Sequence, residues 1–176
     1  MTECVIPESE RTAYHEAAHV ALSIALGLGC KGVTIVPNFD AGEAGSALHG
    51  GGYSNDEDTE SLRLFAESEF WLWHATALYA GAEAVRQLGI GNWRAGAEFD
   101  YSVATDAINK ITTDPASIDL LFAAAQRHTV VLVEHYWPEI KSLASILVDK
   151  RTLSGEEAGR VFCDSTLARR ARLRTW

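Results

Sequence analysis

Tyr14-His15-Glu16-Ala17-Ala18-His19-Val20 is the stretch whose reading decides this chain. His15 and His19 stand four residues apart, with Glu16 directly after the first. On a helix that spacing stacks both imidazoles one turn apart on one face, within reach of a single metal ion. Glu16 then projects beside the ion, where a carboxylate takes a proton from bound water. The flanks supply the helix. Pro7, Glu8, Ser9 and Glu10 make a helix start, because proline suits the first turn and acids complement its dipole. Ala13, Ala17, Val20, Ala21, Ile24, Ala25 and Leu28 then recur at a helical period, and Gly29 closes the segment. The histidines therefore fall inside a buried helix, where an imidazole pair needs polar partners and a metal supplies them.

Outward from this helix, Gly32-Val33-Thr34-Ile35-Val36-Pro37 reads as a short β-branched strand ended by proline. A turn over residues 38–42 leads to a second short strand over 44–49. Gly50-Gly51-Gly52 links it to the acidic cluster Asn55-Asp56-Glu57-Asp58. Asp58 or Thr59 caps a long helix running to about Leu88, with a break expected near Trp71-Leu72-Trp73. A further helix begins near Ala97 and ends before Asp114-Pro115. Two more follow, over roughly 115–136 and 138–148. Ser154 and Glu157 have capping-box spacing and start the last helix. The expected fold is mainly α (α+β), with a small β-sheet near the amino end. It forms a single domain over 1–176 with a basic tail over 166–176.

Composition narrows the function. An apolar fraction of 47% and a charged fraction of 22% belong to a globular chain. A formal charge of -9 argues against a nucleic-acid partner. Arg169, Arg170, Arg172 and Arg174 make a local basic end, read as solvated. Cys4, Cys30 and Cys163 are odd in number and scattered, which suggests neither a disulfide framework nor a cysteine-built metal site. The longest apolar run, Val20 to Gly29, is too short to span a bilayer. No signal-peptide pattern opens the chain. A cytoplasmic protein without a membrane segment is expected.

A catalytic zinc takes three protein ligands and keeps one position for water. His15 and His19 supply two. Periodicity leaves His49, His74, Glu83, Glu98, Asp100 and Asp106 open as the third. His128 and His135, and more readily His74 too, read as packing or surface residues.

Several of these stretches occur together in a known order. Tyr14-His15-Glu16-Ala17-Ala18-His19 followed by Gly32-Val33-Thr34-Ile35-Val36-Pro37 resembles the peptidase domain of FtsH-type zinc proteases. Gly96-Ala97-Glu98-Phe99-Asp100, with Ala104-Thr105 after it, is similar to that family's Gly-Ala-Glu-Asn-Asp-Leu and Ala-Thr. Thr152-Leu153-Ser154-Gly155-Glu156-Glu157 resembles its closing Thr-Leu-x-Gly-Glu-Glu. The resemblance implies Zn²⁺ as cofactor, Asp100 as third ligand beside His15 and His19, and Glu16 as general base. It also implies an edge strand, here Ala44, Gly45, Ser46, Ala47, Leu48 and His49, that pairs an extended peptide through main-chain hydrogen bonds.

The departures are specific. Ala18 stands where the family has glycine, and Phe99 where it has asparagine. Ala80-Gly81-Ala82-Glu83 replaces Gly-Gly-Arg-Ala-Ala-Glu-Glu. No Gly-x-x-x-x-Gly-Lys-Ser/Thr occurs, so a phosphate-binding ATPase module is not expected in this chain. The expectation is an ATP-independent zinc endopeptidase acting on peptides or unfolded protein, as a homo-oligomer or with a separate ATPase partner. The alternative is a catalytically inactive relative whose zinc-binding domain serves as a protein-interaction module.

Overall fold

The computed structural model describes residues 6–38, 44–49 and 60–173. The expected link at Gly50 to Gly52, the acidic cluster and the cap at Asp58 or Thr59 lie outside the described residues. The fold is mainly α with a small antiparallel sheet, as the sequence implies.

Helix α1 (Glu8–Ala25) opens after Pro7, with Glu8 and Glu10 in its first turn. It ends earlier than the apolar period suggests. Gly27 and Gly29 both take positive φ, 76° and 70°, and turn the chain at once into the sheet. Strand β1 (Cys30–Thr34) is the centre of a three-stranded sheet, between β2 (Ser46–His49) and β3 (Thr152–Ser154). Val33 faces Ala47 on one side and Leu153 on the other, both in antiparallel register. The third strand is a correction to the reading of a purely amino-terminal sheet. Thr152 to Ser154 are recruited across the chain because Val33 and Leu153 bury together in the main core. Ser154 still caps the last helix, α7 (Gly155–Leu173). The Glu157 amide donates to Ser154 Oγ at 3.2 Å, and the Ser154 amide donates to Glu157 Oε2 at 3.0 Å.

The long middle helix is two helices, α2 (Glu60–Leu78) and α3 (Ala80–Gln87). They separate at Tyr79, not near Trp71. The two carbonyls just before the break are claimed from outside the helix. Thr76 O accepts from Thr129 Oγ1 and Ala77 O accepts from the His19 ring, both at 2.8 Å. Helix α4 (Glu98–Asn109) follows a loop turned by Gly89 and Gly96, each at positive φ. Helix α5 (Pro115–His135) starts at an Asp114 cap whose side chain accepts from the Ser117 amide, and α6 (Trp137–Lys150) follows directly.

Two cores result. The main one joins α1, the sheet, α6 and α7, with Val20, Leu22, Ile140, Leu143, Leu147 and Leu153 fully buried. A smaller one joins α2, α4 and α5 around Ala75, Leu78, Tyr79, Ala104 and Ile108. The α2–α3 unit contributes to both.

Two sequence expectations change here. The basic end is not simply a solvated tail. Arg169 Nε lies 3.1 Å from Glu139 Oε1 inside the fold, and Arg169 also donates to the His135 carbonyl at 2.8 Å. A completely buried carboxylate requires such a cation. The expectation of no membrane segment rested on apolar runs, yet α5 is long and apolar enough to cross a membrane by length and composition. Its best 18-residue window has a mean hydropathy of 1.2, and 17% of that window is buried. Its buried face, Ala125, Thr129 and Val133, packs into the fold.

Candidate metal centre

Helix α1 sends one face into the seam between the two cores. His15 and His19 lie a turn apart on that face, their Nε2 atoms 3.0 Å from each other. Asp100 reaches them from the first turn of α4. Its Oδ2 is 3.0 Å from His15 Nε2 and 3.2 Å from His19 Nε2. The three donors thus form a nearly equilateral triangle, mostly withdrawn from solvent. Of the residues the sequence leaves open, Asp100 is the one brought to the histidine pair among the described side chains. Glu83 is buried in α3 and chelates Arg86 at 2.6 and 2.7 Å. Glu98 accepts from the Gly96 amide at 3.0 Å and shapes the turn before α4. Asp106 is exposed on α4.

The hydrogen bonds around His19 determine what this triangle needs. Its Nδ1–H donates to the Ala77 carbonyl at 2.8 Å, and a carbonyl only accepts. In the neutral ring, Nε2 is therefore a bare lone pair. It points at a carboxylate oxygen and at a second imidazole nitrogen, so either a proton, on His19 or on His15 Nε2, or a metal ion lies among the three atoms.

The proton solution appears in the electrostatics. Burial opposes charge on His19, but the Asp100 carboxylate outweighs it and pushes the pKa up to about 9. Burial dominates at His15 and pulls it below its ordinary value. Burial also opposes ionisation of Asp100, yet the facing imidazoles hold its carboxyl well below the usual carboxylate range.

The metal solution fits the same donor set. Two imidazole nitrogens and one carboxylate oxygen are a three-ligand zinc set that leaves a position for water. Tetrahedral zinc with bonds of about 2.0–2.2 Å sets its donors roughly 3.3–3.6 Å apart, so the observed triangle needs to open by only a few tenths of an ångström. The Nδ1–H to carbonyl bond of His19 is the outer contact that fixes a metal-binding tautomer.

Glu16 is 6% exposed and lines the same cavity, of about 710 Å³, as the triad. The chain entering β2 runs directly beside it: a Cβ on Gly45 would sit 3.0 Å from Glu16 Cγ and 2.8 Å from Thr12 Cγ2. Ala44, Gly45, Ser46, Ala47 and Leu48 line the cavity, with Ser46 onward in the edge strand. His49 pairs with Cys30 through its backbone, and its side chain lies outside the described residues.

The cavity also holds residues the sequence reading did not assign to the site. Leu78, Phe99 and Val103 make an apolar surface there, and Phe99 is 73% exposed beside the Asp100 it precedes. His74 also faces this cavity, stacked on Phe70 with ring centroids 6.0 Å apart, and burial lowers its pKa. Nothing in the spacing of His74 distinguishes it from a packing residue. Arg11 did carry a signal, since it lies four residues before His15 and so on the same helix face. Its guanidinium bonds the Ala95 carbonyl, tying α1 to the loop that delivers Asp100. His128 and His135 are exposed, away from the triad.

No protein-family model matches this chain, and no curated protein matches it in sequence.

Proposed function

We propose that the protein is a zinc-dependent endopeptidase that works without ATP on peptides or unfolded protein, and that it is related to the FtsH-type peptidases. The observation that carries the proposal is the convergence of the His15, His19 and Asp100 ligand atoms, with the buried Glu16 carboxylate lining the same cavity. A structural zinc site is closed by four protein ligands, whereas this donor set has three and does not include Glu16. The ordered likeness of four separate stretches to the FtsH peptidase supports the same reading.

A zinc ion held by the triad would supply Lewis-acid activation of water and polarisation of the substrate carbonyl. The rest is work for the chain's own groups. An extended substrate pairs its backbone with the outer edge of β2, which has no strand partner among the described residues. Leu48, 60% exposed, and Phe99 across the cavity receive its apolar side chains. The Glu16 carboxylate accepts a proton from the attacking water. As the C–N bond breaks, it returns that proton to the leaving amine. Asp100 and His19 keep the triad fixed through these steps, since His19 is held at both ring nitrogens.

The test is zinc analysis with casein and peptide hydrolysis on wild type and Glu16→Gln. One zinc per chain in both proteins is expected, with hydrolysis reduced about 10²- to 10⁴-fold in the variant, the usual range for a lost general base. Undiminished hydrolysis by Glu16→Gln sinks the mechanism. Zinc uptake by wild type without hydrolysis of any substrate would instead leave the inactive interaction module.

A further inference from the structure

Gly81 is the second residue of α3, in a run where Ala77, Ala80, Ala82 and Ala84 are all buried. Its backbone is not in the left-handed region, so its conformation does not call for glycine. By helix propensity alone, alanine is the better residue here. The tertiary structure forbids it. A Cβ on Gly81 would lie 2.5 Å from His15 Cε1, 2.6 Å from His15 Nε2 and 2.6 Å from His19 Nε2. These are the ring edges that face Asp100, and a methyl group there would compete with them for the same space.

We propose that Gly81 is the positioning residue of the metal centre. Its bare backbone leaves the clearance in which both Nε2 atoms stand together against Asp100. Ala77, one turn earlier, holds the far nitrogen of His19 through its carbonyl. One short stretch at the α2–α3 break therefore orients the ligand ring from one side and makes room for it on the other. The atoms in the way are the ends of two side chains rather than backbone, so an added methyl group swings the imidazoles off the triad without breaking the helix packing. The glycine gives up local helix stability for an open ligand set. This inference rests on the metal reading above.

The experiment compares wild type, Gly81→Ala and Gly159→Ala. Gly159 lies in α7 with nothing within 4 Å of an added Cβ, so it reports the effect of a helical glycine alone. Each protein is stripped with chelator, its thermal midpoint and circular dichroism are recorded, and zinc is titrated against a chromogenic competitor. The expectation for stripped Gly81→Ala is native helicity, with zinc affinity reduced at least about 10-fold, the smallest loss typical of a disturbed ligand orientation. Gly159→Ala is expected to bind zinc as wild type does. Wild-type zinc affinity in Gly81→Ala overturns the proposal. So does a stripped Gly81→Ala that has lost its helicity, since the glycine would then serve the fold and not the site. If wild type itself takes up no zinc, the metal reading fails first, before any variant is compared.

Discussion

Helices α1 and α4 both carry ligands, but they are held very differently. Ten of the eighteen residues of α1 are buried, among them the unbroken run from Glu16 to Ser23. In α4 only Ala104, Ala107 and Ile108 are buried, all at least a turn beyond Asp100. The histidine pair is thus built into the main core, which fixes it whether or not anything is bound. Asp100 stands at the loosely packed start of a helix from the smaller core, and its position depends on the imidazoles it faces and on the Arg11 contact to Ala95. An ion among these donors joins a rigid half to a lightly held half. A bound metal should therefore order α4 far more than α1.

The largest effects should come from removing one ligand on each side. Asp100→Asn is expected to lower zinc affinity by more than the roughly 10- to 100-fold that losing an outer contact costs, with the stripped protein still folded. His19→Ala should lose zinc equally and also destabilise the stripped protein by about 1–3 kcal/mol, because the buried Ala77 carbonyl loses its donor. Competition titration and chemical denaturation measure the two quantities. Above pH 9, where the proton shared by His19 and Asp100 is gone, equal destabilisation by both variants would erase the contrast between the helices.

Chelation comes next. At free zinc about 100 times the dissociation constant, binding contributes about 2.7 kcal/mol to stability, so chelator should lower the thermal midpoint. Amide exchange should rise on chelation over residues 96–103 and stay nearly unchanged over residues 16–23. A uniform change across both stretches would count against the contrast.

The smallest effect is a pH slope with opposite signs in the two forms. Without metal, the raised pKa of His19 means its contribution is complete below its ordinary value of 6.5 and is lost as the pH rises through about 9. Asp100 and His15 add no slope in that interval. The depressed Asp100 contribution is lost only in acid, and so is that of His15 as its lowered pKa is passed. Stripped protein should therefore lose stability between pH 6.5 and 9. Zinc affinity should rise over the same interval, because the metal displaces the proton on His19. Denaturation and zinc titration at pH 6.5, 7.5 and 9 check both signs. A flat stripped-protein profile would mean the triad does not hold that proton.

Local chemistry accounts for what was legible in the sequence. The His15, Glu16, His19 face follows from helical spacing, and the Ser154–Glu157 box is recognisable as a cap because its partners are three residues apart. Composition and turn signals place two strands at 32–37 and 44–49, and the structure has them at Cys30–Thr34 and Ser46–His49. The resemblance to a zinc peptidase led to Asp100, whereas spacing alone could not choose it over Glu83, Glu98 or Asp106.

The features that spacing missed all depend on partners far along the chain. The third strand exists because Leu153 buries against Val33. The break at Tyr79 follows donors from α1 and α5 that take the carbonyls of Ala77 and Thr76. Arg169 is drawn partly out of solvent because Glu139 is buried and Arg169 is its ion-pair partner among the described residues. His74 belongs to the cavity only because α2 crosses it. The sequence by itself determined a helix with two imidazoles and a carboxylate on one face, since a periodic backbone places side chains three and four residues apart. Tertiary structure alone brought Asp100 to within 3.0–3.2 Å of both rings and left the space at Gly81 that keeps them there. Those distances come from the packing of two cores across a shared seam, which residue spacing does not encode.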